Sequence, residues 1–313
     1  MSMKQRKVGF TLIEMIVATA IAAVVGTTLM LTLRRQERFY SSSAQMLQVR
    51  AQLRDGGDVL TSDIRGAAIE RYGLPLMTDT AVEFVSTIGT SVVCDTPVGR
   101  TLFLPPDTLA SGATLTSLLA TPDTGDIALI YAMRGGIPDS AQWVDARIAA
   151  FATRSLSTSC PPSSGFASSA DVAAGERGYA LTLTPSVPTG IRKGAPVRFL
   201  RRGRYSLYAS SGEWYLGYRR CNAVGLSTCG IIQPVSGPYL SYRGRQNPDA
   251  GLAFHYFDAG GTEVTDEAIS RLVSRIDIVL RGATAHEVAL SGDARIRYRD
   301  SAVVSVSPRN RAR

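Results

Sequence analysis

Lys4-Gln5-Arg6-Lys7-Val8-Gly9-Phe10-Thr11-Leu12-Ile13-Glu14 leads into a run from Met15 to Leu33 that carries no further charge until Arg34-Arg35. As a helix, Phe10 to Leu33 is roughly 36 Å long at 1.5 Å per residue, enough to cross a ~30 Å hydrocarbon core. The basic cluster Lys4, Arg6 and Lys7 ahead of it predicts a cytoplasmic N-terminus and puts the bulk of the chain on the other side of the membrane. One residue breaks the pattern. Glu14 lies four residues inside the run, where a carboxylate near the bilayer centre costs about 2.5 to 3.5 kcal/mol on the lenient insertion scale. It needs a partner, and a nearby candidate is a positive α-amino group on Phe10 of a neighbouring chain, which exists only if the bond after Gly9 is cut.

The string Lys7-Val8-Gly9-Phe10-Thr11-Leu12-Ile13-Glu14 resembles the processing signature of type IV prepilins: a short basic leader, Gly, Phe, three further residues, Glu, then a long apolar helix. The resemblance implies cleavage between Gly9 and Phe10 by a prepilin peptidase, N-methylation of Phe10, and a salt bridge from Glu14 to a neighbour's amino terminus during assembly. It also implies the partners: major and minor pilins, the peptidase, the inner membrane and a pilus assembly platform. A secretory signal shares the basic start and the apolar stretch, and Ala18, Ala20, Ala22 and Ala23 imitate its small-residue cleavage site. A Glu so early in the run is foreign to it. An uncleaved membrane anchor is the other alternative.

Beyond Leu33 no strong helix breaker appears before Gly56, and Met46, Val49, Leu53, Leu60, Ile64 and Ala68 recur at mostly three-and-four spacing, the mark of one amphipathic face. The helix is therefore expected to continue to about Ile64, roughly 80 Å in all. Gly56-Gly57 marks either a kink or a close approach of a sheet. Only Gly26 loosens the membrane segment, whereas many major pilins have a Pro there, which favours a minor subunit.

From Val82 onward, short strands are expected at Val82–Ser86, Thr101–Leu104, Asp126–Ala132, Tyr179–Thr184, Val197–Leu200, Tyr205–Ala209 and Glu213–Tyr218. Alternation is cleaner toward the end, in Leu252, Phe254 and Tyr256, in Ile276, Ile278 and Leu280, and in Ile296 and Tyr298 among Arg295, Arg297 and Arg299. Asp258-Ala259-Gly260-Gly261 reads as a turn and Thr265–Leu272 as a short capped helix. The fold class is α+β: a long N-terminal helix on antiparallel sheet, with an extra β-rich region. The expected organisation is a leader (1–9), a membrane or filament-core helix (10–33), its amphipathic continuation (34–68) and a β-rich domain (69–313). That domain has two lobes joined by a Ser-rich connector near 155–175.

The 313 residues are 45% apolar and 19% charged, with 29 Gly and 15 Pro, a globular rather than disordered composition. The net charge of +8 favours anionic partners such as DNA, lipid headgroups or acidic polysaccharide, although part of it sits in the leader and in Arg309, Arg311 and Arg313. Cys94, Cys160, Cys221 and Cys229 are an even number behind an export-type start, which points to disulfides. Three pairings exist; the short loop favours Cys221 with Cys229 and leaves Cys94 with Cys160.

Catalytic signatures are missing: no C-x-x-C, G-x-S-x-G, H-E-x-x-H or phosphate-binding Gly loop occurs, and His255 and His286 are the two histidines. No enzyme, metal or cofactor is expected. The carboxylates of Asp258–Glu267 lack EF-hand spacing. Arg201, Arg202, Arg204, Arg219 and Arg220 interleave with Tyr205, Tyr208, Trp214, Tyr215 and Tyr218, a mixture able to hold DNA by phosphate contact and stacking. The same mixture also suits a hairpin with Arg toward water and aromatics toward the core.

Further segments, among them Leu60-Thr61-Ser62-Asp63-Ile64-Arg65, Arg204–Tyr208 with Leu216–Arg220, and Phe254–Asp258 with Arg275–Ile278, resemble large minor pilins of the PilW kind. That resemblance implies a subunit that primes or extends a type IV pilus, in the inner membrane first and then at the cell surface. A type II secretion pseudopilin and a pilus-borne adhesin or DNA-binding subunit are the competing readings.

Overall fold

A computed structural model of the chain describes residues 11–133, 141–222, 228–244, 247, 249–291 and 294–308. Two compact units share the sequence, one formed by residues 1–51 and 283–300, the other by 52–282 and 301–313. The first division, after Ala51, falls inside a single continuous helix, α1 (Leu12–Arg65).

In the first unit, every α1 residue from Leu12 to Ser41 is exposed. Cover begins at Ser42 and Val49, which are buried, and Ser42 Oγ accepts the Ala289 N–H. The hairpin of β13 (Val288–Ser291) and β14 (Ala294–Ile296) belongs to this unit. The expected alternation through Ile296 and Tyr298 does not form one strand there. β14 stops at Ile296, which is 51% exposed, and a new strand, β15 (Arg299–Val306), starts after the break. Arg295 and Ile296 are both exposed in a two-stranded hairpin, so period-two alternation has no core face to track.

The second unit is built on a ten-stranded antiparallel sheet among the described residues. Its path runs β1 (Leu76–Met77), β2 (Ala81–Val92), β8 (Pro196–Ser210), β5 (Ile127–Met133), β6 (Ala141–Ser155), β7 (Arg177–Thr184) and β3 (Thr101–Leu104). β4 (Ser117–Leu118) joins β2, and β9 (Glu213–Cys221) carries β10 (Gln233–Tyr239). β8 is one strand where the sequence suggests two. Along one side it pairs with β2; along the other, Val197–Leu200 pairs with β5 and Arg202–Ser210 with β9.

Both faces of this sheet are covered at its centre. From β5, Ala128 and Ile130 join Leu102, Ile148, Leu181, Val197 and Phe199 in one core, while Ile127 and Leu129 join Val85 and Leu200 in another. Burial on both sides explains the continuous apolar run Ile127-Ala128-Leu129-Ile130. A second sheet orders β11 (Leu252–Phe257), β12 (Arg275–Ala283) and β15. Its buried Leu252, Phe254 and Tyr256 stand opposite Leu280, Ile278 and Ile276.

The Ser-rich segment near 155–175 links β6 and β7, which are adjacent strands of one sheet rather than separate sheet regions. It holds α3 (Leu156–Ser159), a short turn at Pro162–Ser164 and α4 (Ser169–Ala173). α4 starts with a capping box in which Ser168 and Asp171 each satisfy the other's backbone N–H. Glu267–Leu272 is a 3-10 helix, capped by Asp266 accepting the Ala268 N–H at 2.9 Å.

Within the second unit, Leu53, Leu60 and Ile64 bury the inner face of α1. Gly56 and Gly57 lie on that face, and the helix passes through them unbroken. They are there for close approach: a Cβ on Gly56 would collide with the Tyr239 hydroxyl, and one on Gly57 would sit 3.1 Å from Val304. Tyr239 is buried, and its hydroxyl donates to the Gln52 carbonyl at 3.3 Å. The crowding therefore outweighs the ~1 kcal/mol of helix propensity that Ala would add. Gly56→Val is expected to lower stability by about 1 to 3 kcal/mol in chemical denaturation. In a Tyr239→Phe background the same change should cost measurably less, and an unchanged cost would rule out the contact.

Candidate functional site

The first turn of α1 has a defined cap. Thr11 donates its backbone N–H and its hydroxyl to Glu14 Oε2 at 2.9 and 3.0 Å, and the Glu14 N–H faces Thr11 Oγ1 at 3.4 Å. This reciprocal pair is a capping box, which satisfies two of the four orphan N–H groups at the helix start. Glu14 thus has a partner in its own chain, so a neighbouring amine is not the sole way to make the carboxylate tolerable. Thr-x-x-Glu ahead of an apolar run is the sequence signature by which this cap can be found. Oε1 makes no hydrogen bond to the described residues, which leaves an acceptor for a second partner. Gly9, Phe10, Lys4, Arg6 and Lys7 lie outside the described residues.

Downstream of the cap the helix silences its own polar groups. The hydroxyls of Thr19, Thr27, Thr28 and Thr32 donate to the carbonyls of Met15, Ala23, Val24 and Thr28, one turn back. These threonine hydroxyls are then satisfied within the helix, as a hydrocarbon environment demands. Leu12 is 80% exposed and Ile13, Ile21, Val24 and Leu29 are more than half exposed, so the segment is apolar all round with no protein cover. Among the described residues it is the one helix long and apolar enough to cross a membrane, with a mean hydropathy of 2.2 over its best window. Arg34 and Arg35 end the run.

Residues 5–30 match the prokaryotic N-terminal methylation motif. This prepilin-type signal spans the Thr11–Glu14 cap and most of the apolar helix, and it fits a subunit of the type IV pilin or pseudopilin class anchored in the inner membrane. Interaction with other pilins and with a prepilin peptidase goes with that class in general. No curated protein and no solved structure matches the chain.

The remaining candidate residues lie in the second unit. Cys94 is bonded to Cys160 and Cys221 to Cys229. Cys94 and Cys160 are fully buried with Leu156 and Ala167. Sulfurs of Cys221 and Cys229 lie near Glu83, but they are joined to each other and both Glu83 oxygens accept from arginine, so the trio has its donors engaged. His255 sits in β11, 3.2 Å from Glu263, and the Asp258 carboxylate closes its own turn by accepting the Thr262 N–H at 2.8 Å.

The arginine and aromatic segment forms the β8–β9 hairpin, but its guanidinium groups are not simply turned to water. Glu83, fully buried on β2, receives Arg202 at one oxygen and Arg204 at the other, the latter at 2.7 Å. Asp126, 1% exposed, receives Arg201 at 2.8 Å and Arg220 at 3.1 Å. Four of the five arginines offered above for phosphate are therefore committed to carboxylates inside the protein. Tyr205 donates to Asp63 of α1 at 2.6 Å, tying the helix to the hairpin within the second unit.

Removing one member of a buried pair leaves the other uncompensated, whereas an exposed pair contributes little. Glu83→Ala is expected to cost about 3 kcal/mol in denaturant unfolding, while Asp300→Asn, which weakens a pair with the exposed Arg50 at 2.9 Å, should cost far less. Comparable losses would contradict the assignment.

Tyrosine ionisation adds a pH limit. Burial, then the bond to Asp63, raises the Tyr205 hydroxyl above its ordinary value, and burial with the Asp107 bond pushes Tyr179 up to about 12. Groups raised above an unfolded value of about 10 stabilise fully below that pH, and the stabilisation is lost as pH rises through the folded value. Unfolding free energy should be flat up to about pH 10 and fall toward 12, with tyrosinate absorbance delayed relative to the unfolded chain. Undelayed ionisation in the folded protein would refute this.

Proposed function

We propose that the chain is a minor pilin of a type IV pilus, of the large PilW-like kind. It is cut after Gly9, methylated on Phe10, and packed through α1 among other pilins to prime or extend the filament. The observation that carries this reading is the methylation motif at residues 5–30, continuous with a helix whose apolar surface has no cover of its own through Ser41. Within a membrane apolar burial does not drive helix association, so packing and polar pairs set register. Glu14 supplies the polar pair: Thr11 holds Oε2, and the methylated amine of a neighbour binds Oε1. The subunit enters the inner membrane with its N-terminus cytoplasmic and the β-rich domain outside, and leaves it for the cell surface on assembly. The role is structural, with no reaction assigned to the chain.

N-terminal mass spectrometry of membrane-extracted protein should find a chain that starts at N-methylated Phe10; retention of residues 1–9 would refute the processing step. Glu14→Ala and Glu14→Gln should both be processed normally. Gln can still cap the helix but carries no charge, so if the ion pair matters both variants fail to enter sheared filaments. Normal incorporation of Glu14→Gln would reduce the residue to its capping role. Loss of protein secretion rather than of twitching in a deletion strain would favour a type II pseudopilin, which shares the signal and the helix.

A further inference from the structure

β8 carries four arginines, Arg198, Arg201, Arg202 and Arg204, and three of them donate to the buried carboxylates described above. Arg198 does not. Its guanidinium lies over the Trp143 ring at 4.8 Å, directly across the sheet from Thr90, and borders a cleft of about 630 Å3 under the last turns of α1. The helix side of that cleft presents Asp58, Thr61, Ser62 and Arg65. Neither arginine, nor Asp58, has a hydrogen-bonded or ionic partner among the described residues, although all three face the same space. Thr61 Oγ1 is buried, borders the cleft and is likewise unpartnered. Asp58, Arg65 and Arg198 are exposed at the mouth of this cleft and converge on it, and Thr61 Oγ1 adds a buried polar atom that still wants a partner.

We propose that this cleft binds an acidic saccharide, a sugar ring bearing a carboxylate or phosphate. Two guanidinium groups against one carboxylate leave a net positive site, suited to a single acid group held by charge-assisted bonds. Asp58 and the hydroxyls of Thr61, Ser62 and Thr90 match the alternating donors and acceptors of a ring's hydroxyl groups. Leu119, 85% exposed at the rim, offers an apolar edge for the ring's C–H face. The volume lies in the range of small-ligand clefts and far exceeds that of a bare phosphate. A nucleic acid strand fits less well, because Asp58 opposes a track of phosphates and the neighbouring Arg201, Arg202 and Arg204 are already engaged.

The test is isothermal titration of the full chain, solubilised in a detergent without a sugar headgroup. The titrants are glucuronic acid and glucose 6-phosphate, with glucose, inorganic phosphate and a single-stranded thymidine oligonucleotide as comparators. At least one acidic sugar should bind, with glucose and phosphate each about tenfold weaker or more, as loss of a charge-assisted or a hydroxyl set implies. Arg65→Gln and Arg198→Gln should each weaken the acidic sugar about tenfold or more, and Arg177→Gln, on β7 away from the cleft, should not. The proposal is overturned if neither acidic sugar binds, if glucose or phosphate binds as well, if the oligonucleotide binds more tightly than both, or if the cleft variants bind like the parent.

Discussion

An apolar helix with nothing packed on it constrains the rest of this chain. From Leu12 to Ser41 no residue of α1 is buried by the protein itself, and its apolar part, up to Leu33, calls for cover by lipid or by other helices. Its polar groups are already arranged for such surroundings, with the first turn closed by Thr11 and Glu14 and the threonine hydroxyls folded back on the preceding turn. The distal half obeys the opposite rule. There Leu53, Leu60 and Ile64 are buried and two glycines admit the neighbouring strands. One continuous helix therefore serves two solvents, and the change comes without a proline or a break.

The β-rich unit depends on a second device, the pairing of buried carboxylates with three arginines of β8 and with Arg220 of β9. Glu83 and Asp126 lie on different segments, and each is held by two guanidinium groups. Such clusters contribute little net stability but penalise any misregister that leaves a charge unmatched. β8 pairs with three strands, so its register fixes theirs.

Much of this was legible from the chain. The apolar run, its length and the amphipathic continuation came from periodicity alone, as did the facing rows Leu252, Phe254, Tyr256 and Ile276, Ile278, Leu280, because each has one buried side. Where legibility failed, the reason is non-local. Arg201-Arg202-Gly203-Arg204 read as a gap between two strands because the carboxylates that accept those charges come from elsewhere in the sequence. β6 was missed since only Ala146 and Ile148 along it are buried, and its alanines carry little strand preference. β10 contains Pro234 and Gly237-Pro238, which signal a turn, yet it pairs with β9 through irregular register shifts. The cleft beside Arg198 was invisible because it joins α1, β2 and β8 residues that no spacing rule connects.

The bond between Cys94 and Cys160 spans 66 positions and encloses β3 through β6. For a subunit pulled along its chain, that loop is withheld from extension: at ~3.4 Å per residue, roughly 220 Å of contour cannot be drawn out while the bond holds. Mechanical load would meet a covalent stop at that loop, which withholds 66 of the 313 residues, about a fifth of the chain, from extension.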